Sequence, residues 1–584
     1  MKKPRILFCI ACGNDYGMGH LKRCMAIMDE GISIFESIIC VLRGSQDFAE
    51  KGLKIPGIYK FVKNPESAGD IDLVFSDLRD SNRRLMKRLQ RVAPVIALDD
   101  MGDGKNRAHL TIYSLPTHEE VEGNFKGPEY IVLGGGINSV KPLSREDRKG
   151  ILVTFGGSDP YDLSRRVTRV LNSLGFKPTV VKGPFYKGDI RDVDCYIVEN
   201  PKSLHHLIGS AELVITSFGI TMYEAFRLKT PVLLFNHTKY HWELGRRLDV
   251  LNLGFFPETT KEELRERLSE ALDRRDELWK IVESNSELVD GRGAKRIAGL
   301  ISEAVYAQRK SCLFKHRWSV VIKRGYAYSL MQCRRCKDFF LYDLKGMEKV
   351  YDDREYFLSE YKSRYGKTYI EDRANIQQFA ERRIKTIEKL MKVERGKLLD
   401  IGCALGFFLE VARDHGWDVT GVEISSFAAN WARKNLSLNV LTGSFLDFDF
   451  EPESFDVVTL FFVAEHFKNV EKLIEKVSNV LKKGGLFVLS IPNRGGISYL
   501  FNRKIYIEAH PRDHYFDTSI RNLKRFLGNY GFRKKRVVVT GIHPERILGR
   551  PGAERKKPLL SLICIAFIRI FKVGDTFEYY GIKA

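Results

Sequence analysis

The stretch "KLLDIGCALGFFLEVARDHGWDVTGVEIS", Lys397 to Ser425, constrains this 584-residue chain more than any other. An apolar run ends in Asp400-x-Gly402, Gly406 lies four positions further on, and a second apolar run ends in Glu423. Glycines at a strand-to-helix turn let the backbone approach a ligand closely, and an acid ending the second strand takes a ribose diol. A dinucleotide site obeys the same logic, but its fingerprint is GxGxxG and this one is DxGxxxG. The segment therefore predicts a parallel α/β sheet with a nucleoside-bearing cofactor at the strand ends.

The residues that follow narrow the cofactor. "FDVVTLFF", then "AEH", then "LKKGGLFVLSIPN" resemble the class I S-adenosylmethionine-dependent methyltransferases that act on sugars and small molecules, from about Lys397 to the C-terminus. The resemblance implies S-adenosylmethionine held by Asp400, Gly402, Gly406 and Glu423, with Ser444 or Phe445 near the adenine, and a closing strand at "FEYYGIKA". Ala404 stands where many members carry glycine. "HPRDHYFDTSIRNLKRFLGNYGF" resembles their His-and-aromatic acceptor loop. It implies His514 as general base with Tyr515 as the alternative, and leaves His466 of "AEH" as a residue held near the cofactor. A histidine base predicts a rate that rises with pH through roughly 6 to 7.

The first half has its own βαβ rhythm. "RILFCIAC", "SIICVLR", "DLVFSD" and "VIALDD" read as buried parallel strands, and a second set opens at "GILVTFGGSDP" after the Gly-rich junction Leu133 to Gly150. After the first strand comes "DYGMGHLKR", that is Gly17-x-Gly19-His20-x-x-Arg23. A helix starting near His20 aims free N–H groups at an anion, and an imidazole there exchanges a proton near neutral pH; the plainer alternative is a histidine that only caps the helix. In "TFGGSDP" the N–H groups of Gly156, Gly157 and Ser158 suit a diphosphate. In "TSFGITMYEAF", Ser217, Gly219 and Thr221 open a helix and Glu224 lies one turn inside, suited to ribose hydroxyls. Ordinary strand-to-helix turn chemistry is the alternative for both.

In combination "GMGHLKRC", "FGGSDP" and "SFGITMYEA" resemble the UDP-sugar hydrolase of pseudaminic acid biosynthesis and its glycosyltransferase-B relatives, over residues 1 to 305. The resemblance implies two Rossmann-like domains, UDP in the second, and His20 as the base that activates water at the anomeric carbon. "FNHTKYHWE", with Asn236, His237, His241 and Glu243, departs from the family pattern, and no tyrosine follows Asp77 closely. Hydrolase, glycosyltransferase and non-catalytic sugar-nucleotide module all stay open.

Between the halves lies a cysteine-bearing segment. "CRRC" offers Cys333 and Cys336 on a turn, and Cys312 with His316 supplies two more ligands for a tetrahedral zinc site; the alternative is a metal-free ribbon. The expected order is therefore a Rossmann-like domain (1–140), a UDP-sugar domain (150–305), the ribbon (310–340), a helical lead-in (341–393) and a methyltransferase domain (394–584).

Net charge is +21, yet the bases are spread along the chain and no Asn-Pro-Pro-Tyr-like base-flipping signature occurs, so no nucleic-acid partner is expected. The run "PLLSLICIAFIRIF" is shorter than the ~20 residues of a membrane span. The expectation is a cytoplasmic bifunctional enzyme of surface-polysaccharide or nonulosonic sugar synthesis, with peripheral membrane contact left open through that run.

Overall fold

The computed structural model describes all residues except 1–2, 14–15, 17, 54–58, 116–120, 202, 308–309, 317, 345–353, 394 and 543–557. Side chains at 48, 51–53, 364–365 and 558–561 are likewise not described. Gly17 and most of the basic run before residue 558 fall outside the described residues. The chain divides into two compact units, Met1–Tyr306 with Arg324–Tyr328, and Ala307–Lys323 with Ser329–Ala584.

The first unit contains two parallel sheets. One has the order Lys60–Phe61, Glu36–Gly44, Arg5–Cys12, Leu73–Asp77, Val95–Leu98, Leu110–Tyr113, Phe125–Lys126. The other runs Tyr196–Glu199, Thr179–Lys182, Ile151–Val153, Leu213–Thr216, Val232–Asn236, Leu251–Phe255. Central strands such as Arg5–Cys12 and Leu213–Thr216 are buried on both faces, which explains their unbroken apolar runs. In each sheet the first and fourth strands are neighbours. Helices leave to opposite sides there, and a crevice opens at the strand ends.

The Gly-rich junction is packed rather than loose. A side chain at Gly134 would lie 2.8 Å from Glu224 Oε1 and 2.9 Å from His205 Nε2. The close approach of backbone to a buried carboxylate is what requires glycine at that position.

The second unit carries a seven-stranded sheet ordered Val440–Thr442, Asp418–Glu423, Lys397–Ile401, Phe455–Phe461, Leu481–Pro492, Thr576–Lys583, Phe532–Thr540. Counted along the sequence this is 3-2-1-4-5-7-6, with only the seventh strand antiparallel to its neighbours. Two apolar layers sandwich it, one around Leu399, Val458 and Leu489, the other around Leu398, Val457 and Val488. Adjacent residues of one strand thus feed opposite layers, as the two-residue strand period demands.

A smaller sheet joins Ser319–Gly325, Tyr328–Cys333 and Phe339–Asp343 to the short strand Phe516–Asp517. The last pair is antiparallel, with Phe339 opposite Asp517 and Phe340 opposite Phe516. The expected ribbon boundary at residue 340 falls inside the strand Phe339–Asp343, and the ribbon sheet incorporates the loop that follows His514. That pairing joins segments about 180 residues apart, so no local sequence signal announces it.

Candidate functional site

In the second unit the central strand Lys397–Ile401 carries Asp400, deeply buried, where Thr459 Oγ1 donates to its Oδ1 at 2.7 Å. Burial pushes the Asp400 carboxyl up to about 7, against the pull of Thr459 and Arg383. Gly402 has φ +75°, and a Cβ there would fall 2.4 Å from Val463 Cγ2. Gly406, at φ +81°, opens the helix Phe407–Asp414. Ala404 also adopts a left-handed φ, +50°, and its N–H donates to Glu423 Oε2 at 2.8 Å. Glu423 accepts a second N–H from Ser425 at 2.9 Å. Burial raises the Glu423 carboxyl, and these N–H donors oppose the rise. A carboxylate has about four acceptor sites, so two N–H donors leave capacity for a diol. Ser444 caps the turn Phe445–Asp447, accepting from the Leu446 N–H, while Phe445 lies in the apolar core.

Past the fourth and fifth strands, histidines and acids converge. The rings of His466 and His514 meet edge-on with centroids 4.9 Å apart. His466 Nδ1 lies 3.1 Å from the Asp513 carbonyl. Asp517, buried, stands 3.6 Å from His514 Nδ1 and 3.2 Å from His510 Nε2, and accepts the Tyr506 hydroxyl at 2.8 Å. Burial pushes Asp517 up, yet the neighbouring His510 and His514 win and hold it far below the carboxylate range. Burial alone would lower His514; its contact with Asp517 prevails and raises it above the ordinary histidine value. Glu465 is pushed up to about 7 by burial, with His514 opposing, and its Oε2 has no hydrogen-bond partner among the described residues. Ligand-type atoms of Glu465, His466 and His514 lie within 4.8 Å of one another. Tyr515 is buried, and its N–H bonds the Glu465 carbonyl at 2.8 Å.

The ribbon gathers all four expected ligands. Sγ of Cys312 and of Cys333 each lie 3.5 Å from His316 Nδ1, and the four ligand atoms including Cys336 fall within 4.8 Å of one another. Three thiols and an imidazole are the donor set of a tetrahedral structural zinc.

In the first unit the helix Gly19–Glu30 begins one residue before His20 and has no side-chain cap. His20 does not cap it: Nδ1 lies 2.7 Å from Oδ1 of the fully buried Asp77. A carboxylate only accepts, so Nδ1 carries the proton and Nε2 is the free basic nitrogen. Arg23 reaches the same carboxylate at 2.6 Å and Asp99 at 2.7 Å. Burial favours a neutral Asp77, but Arg23 and His20 keep its carboxyl below the usual range. Asp99 is itself fixed by the N–H and hydroxyl of Ser114 at 2.7 and 2.8 Å.

Loops from the second sheet meet this one. A Cβ at Gly157 would touch Met18 Cγ at 3.5 Å, and Arg79 lies 4.6 Å from the Tyr240 ring centre. The N–H groups of Gly156, Gly157 and Ser158 make no hydrogen bond among the described residues, whereas Asp159 caps the next helix through Leu163 and Ser164. Gly219 precedes the helix Ile220–Arg227, which places Thr221 in its first turn. Glu224 already shares one oxygen with Gly134 N–H at 3.3 Å and His205 Nε2 at 3.2 Å, so its role includes holding the Gly-rich junction. Asn236 is spent on structure: it accepts the Phe218 N–H and donates to Asn252. The His237 and His241 rings pack tilted with centroids 4.1 Å apart, and burial pulls His241 down to about 3.

Sequence spacing alone assigns no site role to Asp77, Asp99, Glu465, His510 or Asp517. Asp77 and Glu465 each had a signal, an acid at or just beyond the end of a buried strand, the same signal that marked Glu423.

Residues 371–536 match a family described as "Methyltransferase domain". The chain is 28% identical over 262 residues to an uncharacterized protein of Methanocaldococcus jannaschii, covering 38% of this chain and 53% of that protein. It is 28% identical over 124 residues to a ubiquinone biosynthesis O-methyltransferase of Coxiella burnetii, covering 20% of this chain and 53% of the relative. Over the N-terminal half it is 21% identical to the spore coat polysaccharide biosynthesis protein SpsG of Bacillus subtilis, covering 50% of this chain and 96% of that protein. The chain thus spans about half the length of the first two of these relatives. With the strand order 3-2-1-4-5-7-6, the family match identifies a class I S-adenosylmethionine-dependent methyltransferase domain in the second unit.

Proposed function

We propose that the protein is a bifunctional enzyme of surface-polysaccharide or nonulosonic sugar synthesis. The second unit methylates a sugar or related small molecule, and the first hydrolyses a UDP-sugar at its anomeric carbon. The observation that carries the reading is the pairing of a histidine with a buried aspartate at the crevice of each unit, His20 with Asp77 and His514 with Asp517. Similarity to SpsG over the N-terminal half supports a sugar-related substrate there.

In the methyltransferase site, Gly402 and Gly406 leave room for backbone approach, Glu423 takes the ribose diol, Asp400 lies beneath, and Ser444 marks the adenine side. S-adenosylmethionine supplies a methyl group already activated on a sulfonium. The protein's own task is to orient the acceptor and remove its proton. His514 takes that proton on the nitrogen turned away from Asp517, and the aspartate stabilises the imidazolium. Glu465 receives a proton in turn, since its carboxyl titrates near neutrality. Tyr515 is left to fix the loop through its backbone.

In the first unit, two domains in a glycosyltransferase-B arrangement hold the nucleotide. Gly156, Gly157 and Ser158 donate N–H groups to its diphosphate, and Ser217, Gly219 and Thr221 line the turn beside it. Glu224 reaches the ribose with the acceptor capacity that Gly134 leaves free. Gly19 opens the helix that carries His20. His20 Nε2 accepts a proton from water as the water oxygen bonds to the anomeric carbon. The bond from that carbon to the phosphate oxygen breaks, and UDP leaves with the electron pair. Asp77, oriented by Arg23, stabilises the imidazolium. A glycosyltransferase would differ only in what His20 deprotonates, a sugar hydroxyl instead of water. A buried Asp oriented by a buried Arg is elaborate for a module that only binds, which favours a catalytic first unit.

Cys312, His316, Cys333 and Cys336 would hold one zinc ion, which would clamp the ribbon. Elemental analysis of protein purified without added metal should then give about one zinc per chain, as a tetrahedral site implies; none after reconstitution under reducing conditions would leave a metal-free ribbon. The function as a whole is tested by incubating the protein with a panel of UDP-sugars and labelled S-adenosylmethionine, followed by mass spectrometry. Release of UDP without a glycoside product marks the hydrolase, and a new glycoside marks the transferase.

A further inference from the structure

The helix Pro558–Phe571 belongs to neither site. Its sequence, "PLLSLICIAFIRIF", contains no acid. Cys564 and Ile568 anchor it by burial, while Ile563, Phe567 and Ile570 stand exposed, Ile570 to 72%. A second element behaves alike. The insertion after the fifth strand, made of helices Ile497–Phe501 and Arg503–Glu508, exposes Phe501 and Ile505, the latter to 64%.

These two elements are stitched together. The Ile497 N–H donates to the Val573 carbonyl at 2.8 Å, and Asn493 Nδ2 donates to the Gly574 carbonyl at 2.8 Å. The N–H and hydroxyl of Ser498 donate to Asp575 at 2.8 and 2.7 Å. Large exposed apolar residues scattered singly need no explanation, but several on adjoining elements mark an interaction face.

Length and charge choose the partner. Fourteen helical residues span about 21 Å at ~1.5 Å each, short of the ~30 Å hydrocarbon core, and no described helix is long and apolar enough to cross a membrane. Arg503, Lys504, Arg569 and Lys572 are exposed on or beside the same elements. Glu508 is the exposed acid there, and Lys504 lies 3.8 Å from it. Arg555, Lys556 and Lys557 directly precede the helix in the sequence. An apolar face flanked by bases matches a layer of anionic headgroups over acyl chains. A second copy fits less well, because a two-fold contact would bring the same bases together.

We propose that the helix Pro558–Phe571 and the insertion Ile497–Glu508 form a docking face for an anionic lipid bilayer. The apolar side chains enter the headgroup–acyl boundary and the bases meet lipid phosphates.

The test is co-sedimentation of the full chain with phosphatidylcholine vesicles and with vesicles of phosphatidylcholine and phosphatidylglycerol mixed. The wild type should sediment with the mixed vesicles and far less with the neutral ones, and added salt should weaken it. Ile563→Asp with Ile570→Asp should lower partitioning by roughly tenfold or more. Arg569→Gln with Lys572→Gln should lower it about fivefold per charge at low salt. Unchanged S-adenosylmethionine binding by calorimetry shows that the variants fold. Absence of sedimentation, or equal sedimentation with both vesicle types, overturns the proposal. So does a dimer that forms without lipid and is abolished by the Ile563→Asp and Ile570→Asp pair.

Discussion

The two units each set a histidine against a buried aspartate, and the difference lies in the third partner. Asp77 has Arg23 beside it at 2.6 Å, a cation that does not titrate in the working range. Its charge is balanced whether or not His20 is protonated. Among the described residues Asp517 pairs instead with His510, His514 and the Tyr506 hydroxyl. The compensating charge must therefore come from a histidine, and His514 is raised for that reason. The same residue pair thus serves as a fixed orienting device in one unit and as a titrating couple in the other.

The largest expected effect is a crossed one. His20→Ala should slow UDP release by about 10²-fold or more and leave methyl transfer unchanged, and His514→Gln should do the reverse. Rates of both reactions measured on both variants check this; a variant that alters both reactions alike breaks the comparison. Next, Glu423→Ala should lose about 1.5–3 kcal/mol of S-adenosylmethionine affinity, read by calorimetry. Wild-type affinity in that variant would mean that another acid holds the ribose.

The third outcome sharpens the titrating couple. In the proposed mechanism the free base of His514 is the active form, so methylation should rise with pH through a value above the roughly 6 to 7 of an ordinary histidine. Asp517→Asn should move the inflection down toward that range. The linked stability has a definite sign. Because His514 is raised in the folded chain, its contribution is fully present below the unfolded histidine pKa of about 6.5 and is lost as pH rises through the folded value. Ring-proton titration by NMR in wild type and Asp517→Asn reads both effects; an identical titration in the two would detach His514 from Asp517. The smallest effect is at Ala404, an L-residue at φ +50°. Ala404→Gly should stabilise the second unit by about 1 kcal/mol in urea unfolding, because a Cβ in the left-handed region costs about that much. A loss of stability would show that the alanine methyl contributes packing.

Much of the fold was legible because it is written locally. Apolar runs and helical spacing marked most strands of the three large sheets but not Leu110–Tyr113 or Leu251–Phe255, and acids or glycines stood at strand ends. Glu423 was found this way from its place after "DVTGV". Asp77 ends a strand in the same manner, yet nothing adjacent in sequence names His20 as its partner, 57 positions earlier. The cluster around His466 and His514 was legible only in part. His514 and His466 were visible as residues, but the approach of Glu465, His510 and Asp517 depends on a loop folding back over the fourth strand.

By itself the sequence determined the βαβ layers and the glycine turns, since each follows from residues a few positions apart. Tertiary structure alone decided which acid charges which histidine, and that the strand Phe339–Asp343 pairs with Phe516–Asp517. It also decided that Ile570 and Ile505 stand exposed on adjoining elements. Those outcomes depend on contacts between distant segments and on how much water each group keeps, and neither quantity is contained in the spacing of residues along a chain.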